Sequence, residues 1–282
     1  MPDTYSGHSL IPHLNVLQNL YLSRLDKSER DAYEVLYFNL EFLPYTLGAA
    51  WYALAELGRL QCELSAEVSD EAFTNAHVIG LSSDARDRMA FEVDAFLEAA
   101  RRSQNAVLFY LSHGLKKSFS GSLYKFVKKL EQHETFGLPE KLRANILKYW
   151  EDHGRRLRDY RNRSQHTAYI TSDARLFRDP EGRRAIHFVL PSNPEEESPA
   201  RLRFGDPPIH AFTYLLNEFY ALVCITHWIT AGLVPSGLTA RMAVRVFRGG
   251  LSLDLSGNPV PNADTVAKEV ARLQAALNKA AT

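Results

Sequence analysis

Sulfur is scarce in this chain. Among 282 residues there are two cysteines, Cys62 and Cys224, and three methionines. No CxxC pair exists, and no HxxxH or HExxH pair occurs among the ten histidines. Ligand spacing of the zinc type is therefore missing, and the expectation is a protein with no metal and no other cofactor. Two isolated cysteines inside helical-looking runs are expected to be buried free thiols of a reducing compartment. The opening MPDTYSGHSLIPHL lacks a basic n-region and an apolar h-region, so the expected location is cytoplasmic. FRGGLS lacks the Lys-Ser/Thr that a phosphate loop places after its glycines, and no nucleophile elbow is present.

Long uninterrupted apolar runs are missing too. VLYFNLEFLPYTLGAAWYALAEL contains Asn39, Glu41, Pro44 and Glu56; IHAFTYLLNEFYALVCITHWITAGLV contains Asn217, Glu218 and His227. A membrane span tolerates such groups poorly, so both runs are expected to be buried bundle helices and no membrane partner is expected. Net charge is also absent, with 33 basic and 33 acidic side chains. That balance argues against a protein that coats polyanions along its whole surface.

The balance conceals a block. Residues 1–115 carry 8 basic and 16 acidic side chains, net −8; residues 116–163 carry 13 and 6, net +7. The block ends in RRLRDYRNRSQH, where Arg155, Arg156, Arg158, Arg161 and Arg163 fall within nine residues and His166 follows. Such a run neutralises phosphates, or it forms a solvated face, or it pairs with the acidic N-terminal third.

Apolar spacing predicts a mainly α fold. Residues 28–63 form a long helical pattern in which Pro44 and Gly48 are expected to introduce kinks. Residues 68–84 are polar and irregular. Residues 86–113 resume a helix, and Ser122 caps a short one ending near Gln132. Leu142, Ile146, Tyr149, Trp150, Leu157 and Tyr160, with His153 in the same stripe, mark one long amphipathic helix that ends in the arginine cluster. Gly154 inside it has no account beyond close packing. AYITSDARLF, RRAIHFVLP and ARLRF then read as strands, the first two joined by the turn RDPEGR. An apolar helix at 208–232 follows; it is either central in the core or shared with a second copy. RMAVRVFRGGLSLDLSGNPV reads as a second hairpin, and the last residues as another helix. The expected organisation is a helical domain over 1–235, with a β insertion at about 167–205, and an accessory hairpin plus helix over 236–282.

Within the cluster, Arg161, four intervening residues and His166 resemble the Arg-x(4–6)-His signature of the HEPN superfamily, with Asn162 in the slot that this family fills with a polar residue. A second match, Arg203 to His210, runs through the loop FGDPPI and lacks both the polar follower and the helical setting. The resemblance covers residues 28–232 as a helical plan, while the specific motif is six residues long. It implies a HEPN-like bundle that pairs as a homodimer, with motifs lining a shared cleft. It further implies a metal-independent endoribonuclease, in a toxin–antitoxin or phage-defence setting with an antitoxin as partner. In that reading Arg161, Asn162 and His166 are the catalytic set. Histidine titrates near neutrality, and a planar guanidinium grips phosphate oxygens at two points. Arg155, Arg156, Arg158 and Arg163 would hold flanking phosphates of RNA. The alternative is a non-catalytic helical interaction or RNA-binding protein using the same face. On an ideal helix Arg161 and His166 lie about 140° apart. Either the helix distorts near Ser164 or the two residues face a groove from opposite edges.

Overall fold

A computed structural model describes residues 33–73, 78–119, 121–132, 134–166, 170, 174–178, 182, 184–233, 243–245 and 252–254. The protein is mainly helical, with short antiparallel strand pairs. Helix α1 (Tyr33–Glu67) runs through both Pro44 and Gly48. A 3₁₀ turn (Asp70–Phe73) and strand β1 (Val78–Gly80) lead into α2 (Ser83–Gly114). Helix α3 (Leu123–Glu131) starts where Ser122 accepts a hydrogen bond from the Lys125 amide, as its cap position predicts. Helix α4 (Glu140–Tyr149) continues through a π turn (Trp150–Gly154) into α5 (Arg155–His166).

Strands β2 (Arg175–Arg178) and β3 (Arg184–His187) form the expected hairpin, with Arg175 opposite His187 and Arg178 opposite Arg184. The segment read as irregular supplies β1, which adds to the open edge of β2. Three residues leave too short a pattern to stand out from polar sequence. Strands β4 (Val189–Leu190) and β5 (Ile209–His210) form a second antiparallel pair, and α6 (Ala211–Leu233) follows. The expected strand in ARLRF is corrected. Pro199–Arg201 form a 3₁₀ turn, and Arg203 is held in an extended segment by its carbonyl accepting from Ser192 N at 2.7 Å and its amide donating to Asn193 Oδ1 at 2.8 Å. A side chain here replaces the ladder partner that a strand would need. Strands β6 (Ala243–Arg245) and β7 (Ser252–Asp254) pair antiparallel, as the expected second hairpin requires, while its Gly-Gly turn lies outside the described residues. The helix expected after it lies outside the described residues.

The described residues cluster into two compact units. One comprises the chain through Trp51, Ala99–Arg155 and the part from Phe219 onward; the other comprises Tyr52–Glu98 and Arg156–Glu218. In the first, Ser103 Oγ donates to Thr46 Oγ1 at 2.8 Å and Gln104 Nε2 donates to Tyr149 Oη at 3.0 Å, so these buried polar groups pair with one another. Trp51 packs on Phe219 at 5.2 Å between ring centroids. In the second, Arg184 binds Asp70 at 2.5 Å and stands over the Phe73 ring, tying the hairpin to the first 3₁₀ turn.

Helix α6 buries Ala211, Leu215, Leu216, Phe219, Tyr220, Leu222, Val223, Ile225 and Ile229. Helical phase spreads these over roughly 220° of its circumference. Its apolarity is thus largely used inside its own chain. Among the described residues, no helix is long and apolar enough to cross a membrane.

The π turn accounts for Gly154. A Cβ there would meet Trp150 Cε3 at 2.7 Å and Tyr149 Cε1 at 3.1 Å. One residue is inserted into the helical turn, and the Trp150 and Tyr149 rings take the space a side chain would need. Helix propensity favours Gly154→Ala by about 1 kcal/mol, but overpacking costs about 1–3 kcal/mol. Thermal or urea unfolding is therefore expected to show Gly154→Ala less stable than the parent; equal or greater stability would mean the rings yield freely.

Candidate functional site

Helix α5 is regular from Arg155 to His166, so the distortion considered near Ser164 does not occur. The irregular turn lies before the cluster, at Trp150–Gly154. Arg161 and His166 therefore sit at helical positions about 140° apart. His166 is the last residue of α5, and its side chain lies outside the described residues.

The arginines divide by exposure. Arg155 keeps 60% of its side chain exposed and stands 3.8 Å from Glu131. Arg158 keeps 36% exposed, with Nη1 3.3 Å from Asp159 Oδ1. Arg161 keeps 13% exposed and donates from Nε to Glu98 Oε2 at 3.0 Å, while its Nη1 lies 3.5 Å from Asn162 Oδ1. Arg163 is 5% exposed and donates from Nη1 to the Glu196 carbonyl. Burial pulls its guanidinium below the usual arginine range, against the opposing Glu196 charge.

Arg156 has a different setting. Its guanidinium carbon lies 5.7 Å from the Tyr160 ring centre and 5.8 Å from that of Tyr214, and Nη2 donates to the Ser192 carbonyl at 3.3 Å. The two tyrosine rings meet edge to face at 5.1 Å. Tyr160 donates its hydroxyl to the Pro191 carbonyl at 2.5 Å, and burial pushes its pKa up to about 12. Burial, then the nearby Glu218 carboxylate, raise Tyr214 well above the usual tyrosine range. This cation–π cluster is a packing element that seats α5 on the β4 exit and on α6.

Facing Arg161 is a stripe of α2 that motif spacing does not reveal. Ser164 Oγ donates to Asp94 Oδ1 at 2.5 Å, and Gln165 Nε2 donates to Glu98 Oε2 at 3.0 Å. Contacts 161 to 98 and 164 to 94 run in opposite senses along the two helices, so α5 and α2 are antiparallel here. The sequence signal was only the i, i+4 pair of carboxylates in an acidic third of the chain. Burial raises the Asp94 carboxyl, and the Ser164 hydrogen bond partly offsets it.

The second Arg/His match falls elsewhere. Arg203 lies in the extended loop segment and His210 on β5, where its ring is 4.7 Å from His187. His187 is held below its ordinary value by burial, then by His210 and Arg175. Among the described residues no group of three or more His, Cys, Asp or Glu is placed to hold a metal ion. Burial raises Cys62, and Cys224 is pushed up to about 12, also by burial. Both remain protonated, weakly nucleophilic thiols near neutrality.

Two pH-linked outcomes follow. A raised Asp94 pKa makes its charge a cost to folding that is full above the folded pKa and gone below the unfolded one. Asp94→Asn, which still accepts from Ser164, is expected to match or exceed the parent in stability at pH 7. That advantage should shrink as the pH is lowered toward about 4; an Asn variant less stable than the parent at pH 7 would show that the charge is needed. A lowered His187 pKa works in the opposite sense. Its neutral form is favoured by the fold, so stability is present above the unfolded value of about 6.5 and is lost as pH falls toward the folded value. Unfolding curves of His187→Gln should therefore lose less stability than the parent between neutral and mildly acidic pH.

No family model, no curated protein and no solved structure matches the chain.

Proposed function

We propose that the chain is a metal-independent endoribonuclease of HEPN type, with Arg161, Asn162 and His166 at its reactive centre. The observation that carries this reading is the seating of Arg161. Its Nε is bound by Glu98, Asn162 lies beside Nη1, and its side chain is mostly buried, five residues before the end of a regular helix that terminates in His166. A guanidinium fixed in this way is pre-organised to receive phosphate oxygens.

The reaction is an internal transesterification. The ribose 2′-oxygen forms a bond to the adjacent phosphorus, and the bond from phosphorus to the leaving 5′-oxygen breaks. A base takes the 2′-hydroxyl proton, and an acid supplies one to the 5′-oxygen. The products are a cyclic phosphate and a 5′-hydroxyl. Histidine suits both transfers, and Arg161 stabilises the crowded, doubly charged phosphorane. The angular separation of Arg161 and His166 supports a homodimer in which motifs of two copies face one cleft. Of the flanking arginines, exposure supports phosphate contacts for Arg155 and Arg158. Arg156 and Arg163, engaged inside their own chain, act through α5 instead.

The second reading is a non-catalytic RNA-binding or interaction protein, with an antitoxin-like partner protein among its candidates. It is favoured by the bond between Arg161 and Glu98, which also serves simply to join two helices.

The test is cleavage of labelled RNA by the purified chain in EDTA. Cleavage with cyclic-phosphate ends is expected, and His166→Ala should lower the rate by about 10²–10⁴ while leaving the unfolding curve nearly unchanged. Arg161→Lys should recover little, because lysine lacks the planar fork, and His210→Ala should have no comparable effect. RNA bound but never cut would favour the second reading, and undiminished cleavage by His166→Ala would remove that residue from the centre.

A further inference from the structure

Two histidine rings meet beside the short β4–β5 ladder. His187 ends β3 and His210 ends β5, so the two side chains come from different strand pairs, and their ring centroids lie 4.7 Å apart. His187 stands opposite Arg175 in the β2–β3 ladder, and its ring is 5.1 Å from that of Phe177. Among the described residues, the charged and titratable groups acting on His187 are His210 from β5 and Arg175 from β2, and both oppose a proton there. Opposite His210 in its own ladder is Val189, which carries no charge. His210 is exposed, so protons reach the pair directly from solvent. Imidazoles titrate near neutrality, and a proton on each ring would gather three like charges at one strand end.

The position of the pair gives it a meaning. The ladder beside it has two rungs, Val189 opposite His210 and Leu190 opposite Ile209, and one further bond runs from the Ala211 amide to the Phe188 carbonyl at 2.8 Å. Segment 191–208 leaves and returns through this root. It carries three carbonyls that hold α5: Pro191 accepts from Tyr160, Ser192 from Arg156 and Glu196 from Arg163. Bonds from Ser192 and Asn193 to residues 201 and 203 shape the loop from within, so they do not anchor its root. Segments closed by so few bonds are those that open locally without global unfolding.

We infer that His187 and His210 form an acid-sensitive latch on the β4–β5 loop. With both rings uncharged the root is shut and the loop holds α5. Protons on the pair set His187, His210 and Arg175 against one another, the root parts, and Arg156, Tyr160 and Arg163 lose their carbonyl acceptors. Protonation of paired histidines is a general way to bias a two-state element. His187 binds a proton less readily in the closed loop than in an open chain. Closure is therefore favoured above the ordinary histidine value of about 6.5 and weakens as the pH falls toward the lower value of the closed state. The latch is independent of the RNA reading, since it concerns how α5 is held and not what it binds.

The experiment is hydrogen–deuterium exchange of the full-length chain, read by mass spectrometry at about pH 7.5, 6.5 and 5.5, which spans the ordinary histidine range. Rates are corrected for the intrinsic pH dependence of exchange. In the parent, peptides covering 188–211 should lose protection by up to about tenfold per pH unit for each proton taken up on opening. Peptides covering 93–97 of α2, where Val93, Phe96 and Leu97 are buried, should stay protected through the same time course. The double variant His187→Gln/His210→Gln takes up neither proton and should keep its loop protection level across the range. His210→Phe keeps a ring against His187 and removes one charge, so its loop should lose protection less steeply than the parent's. Parent loop protection that does not change with pH would overturn the latch, as would an equal loss in the double variant. Loss over 93–97 in step with the loop would also overturn it, because the pair would then act on the whole fold. If the double variant does not fold, His210→Phe decides: a slope equal to the parent's overturns the latch.

Discussion

A helix that brings five arginines together packs only if each guanidinium drawn from water finds a partner. An unpaired buried charge costs several kcal/mol, more than most single contacts return. That constraint organises the surroundings of α5. Arg156 is covered by the Tyr160 and Tyr214 rings and bonded to the Ser192 carbonyl, and Arg163 meets the Glu196 carbonyl. The loop between β4 and β5 therefore serves as an acceptor surface for the basic helix. Its extended course, fixed by Asn193 and Ser192 bonds to residues 201 and 203, presents those carbonyls. The strand that composition suggests for ARLRF would have spent the same groups in a ladder.

The π turn is the second constraint. A single inserted residue rotates everything after it by about 100° relative to a continuous α-helix. Leu142, Ile146 and Tyr149 precede it, and Leu157 and Tyr160 follow it. Those residues are all buried, as are Trp150 and Gly154 within the turn. Gly154 is the residue whose missing side chain permits the insertion.

Much of the architecture could be read from apolar spacing. Long helices, the Ser122 cap and the hairpin around RDPEGR follow from local rules that act over a few residues. What could not be read is non-local. Asp94 and Glu98 lie more than sixty positions from the groups they bind, and their spacing carries no record of that pairing. The π turn was invisible for another reason: in sequence it shows only as a glycine, and the rings that exclude a Cβ lie on the preceding turn of the same helix. Of the candidate site, the motif residues were legible as types at a spacing. Their division into buried and exposed arginines was not, because it depends on which side of α5 the β4–β5 loop covers.

That division bears on how one helix packs while keeping part of its charge at the surface. A guanidinium has five N–H donors in a rigid plane. Arg163 lies almost wholly out of water, and its Nη1 is spent on the Glu196 carbonyl. Arg161 commits Nε to Glu98 and directs Nη1 toward Asn162, and those two interactions do not exhaust its plane. An ion pair of this kind is an orienting device: it fixes the plane of the fork and removes rotamer freedom. Glu98 also sets a threshold. A diffusible monoanion competes poorly with a carboxylate already in place at the same guanidinium. The pairing with Glu98 thus makes Arg161 part of the contact between α5 and α2 while leaving donors of its fork uncommitted to that carboxylate.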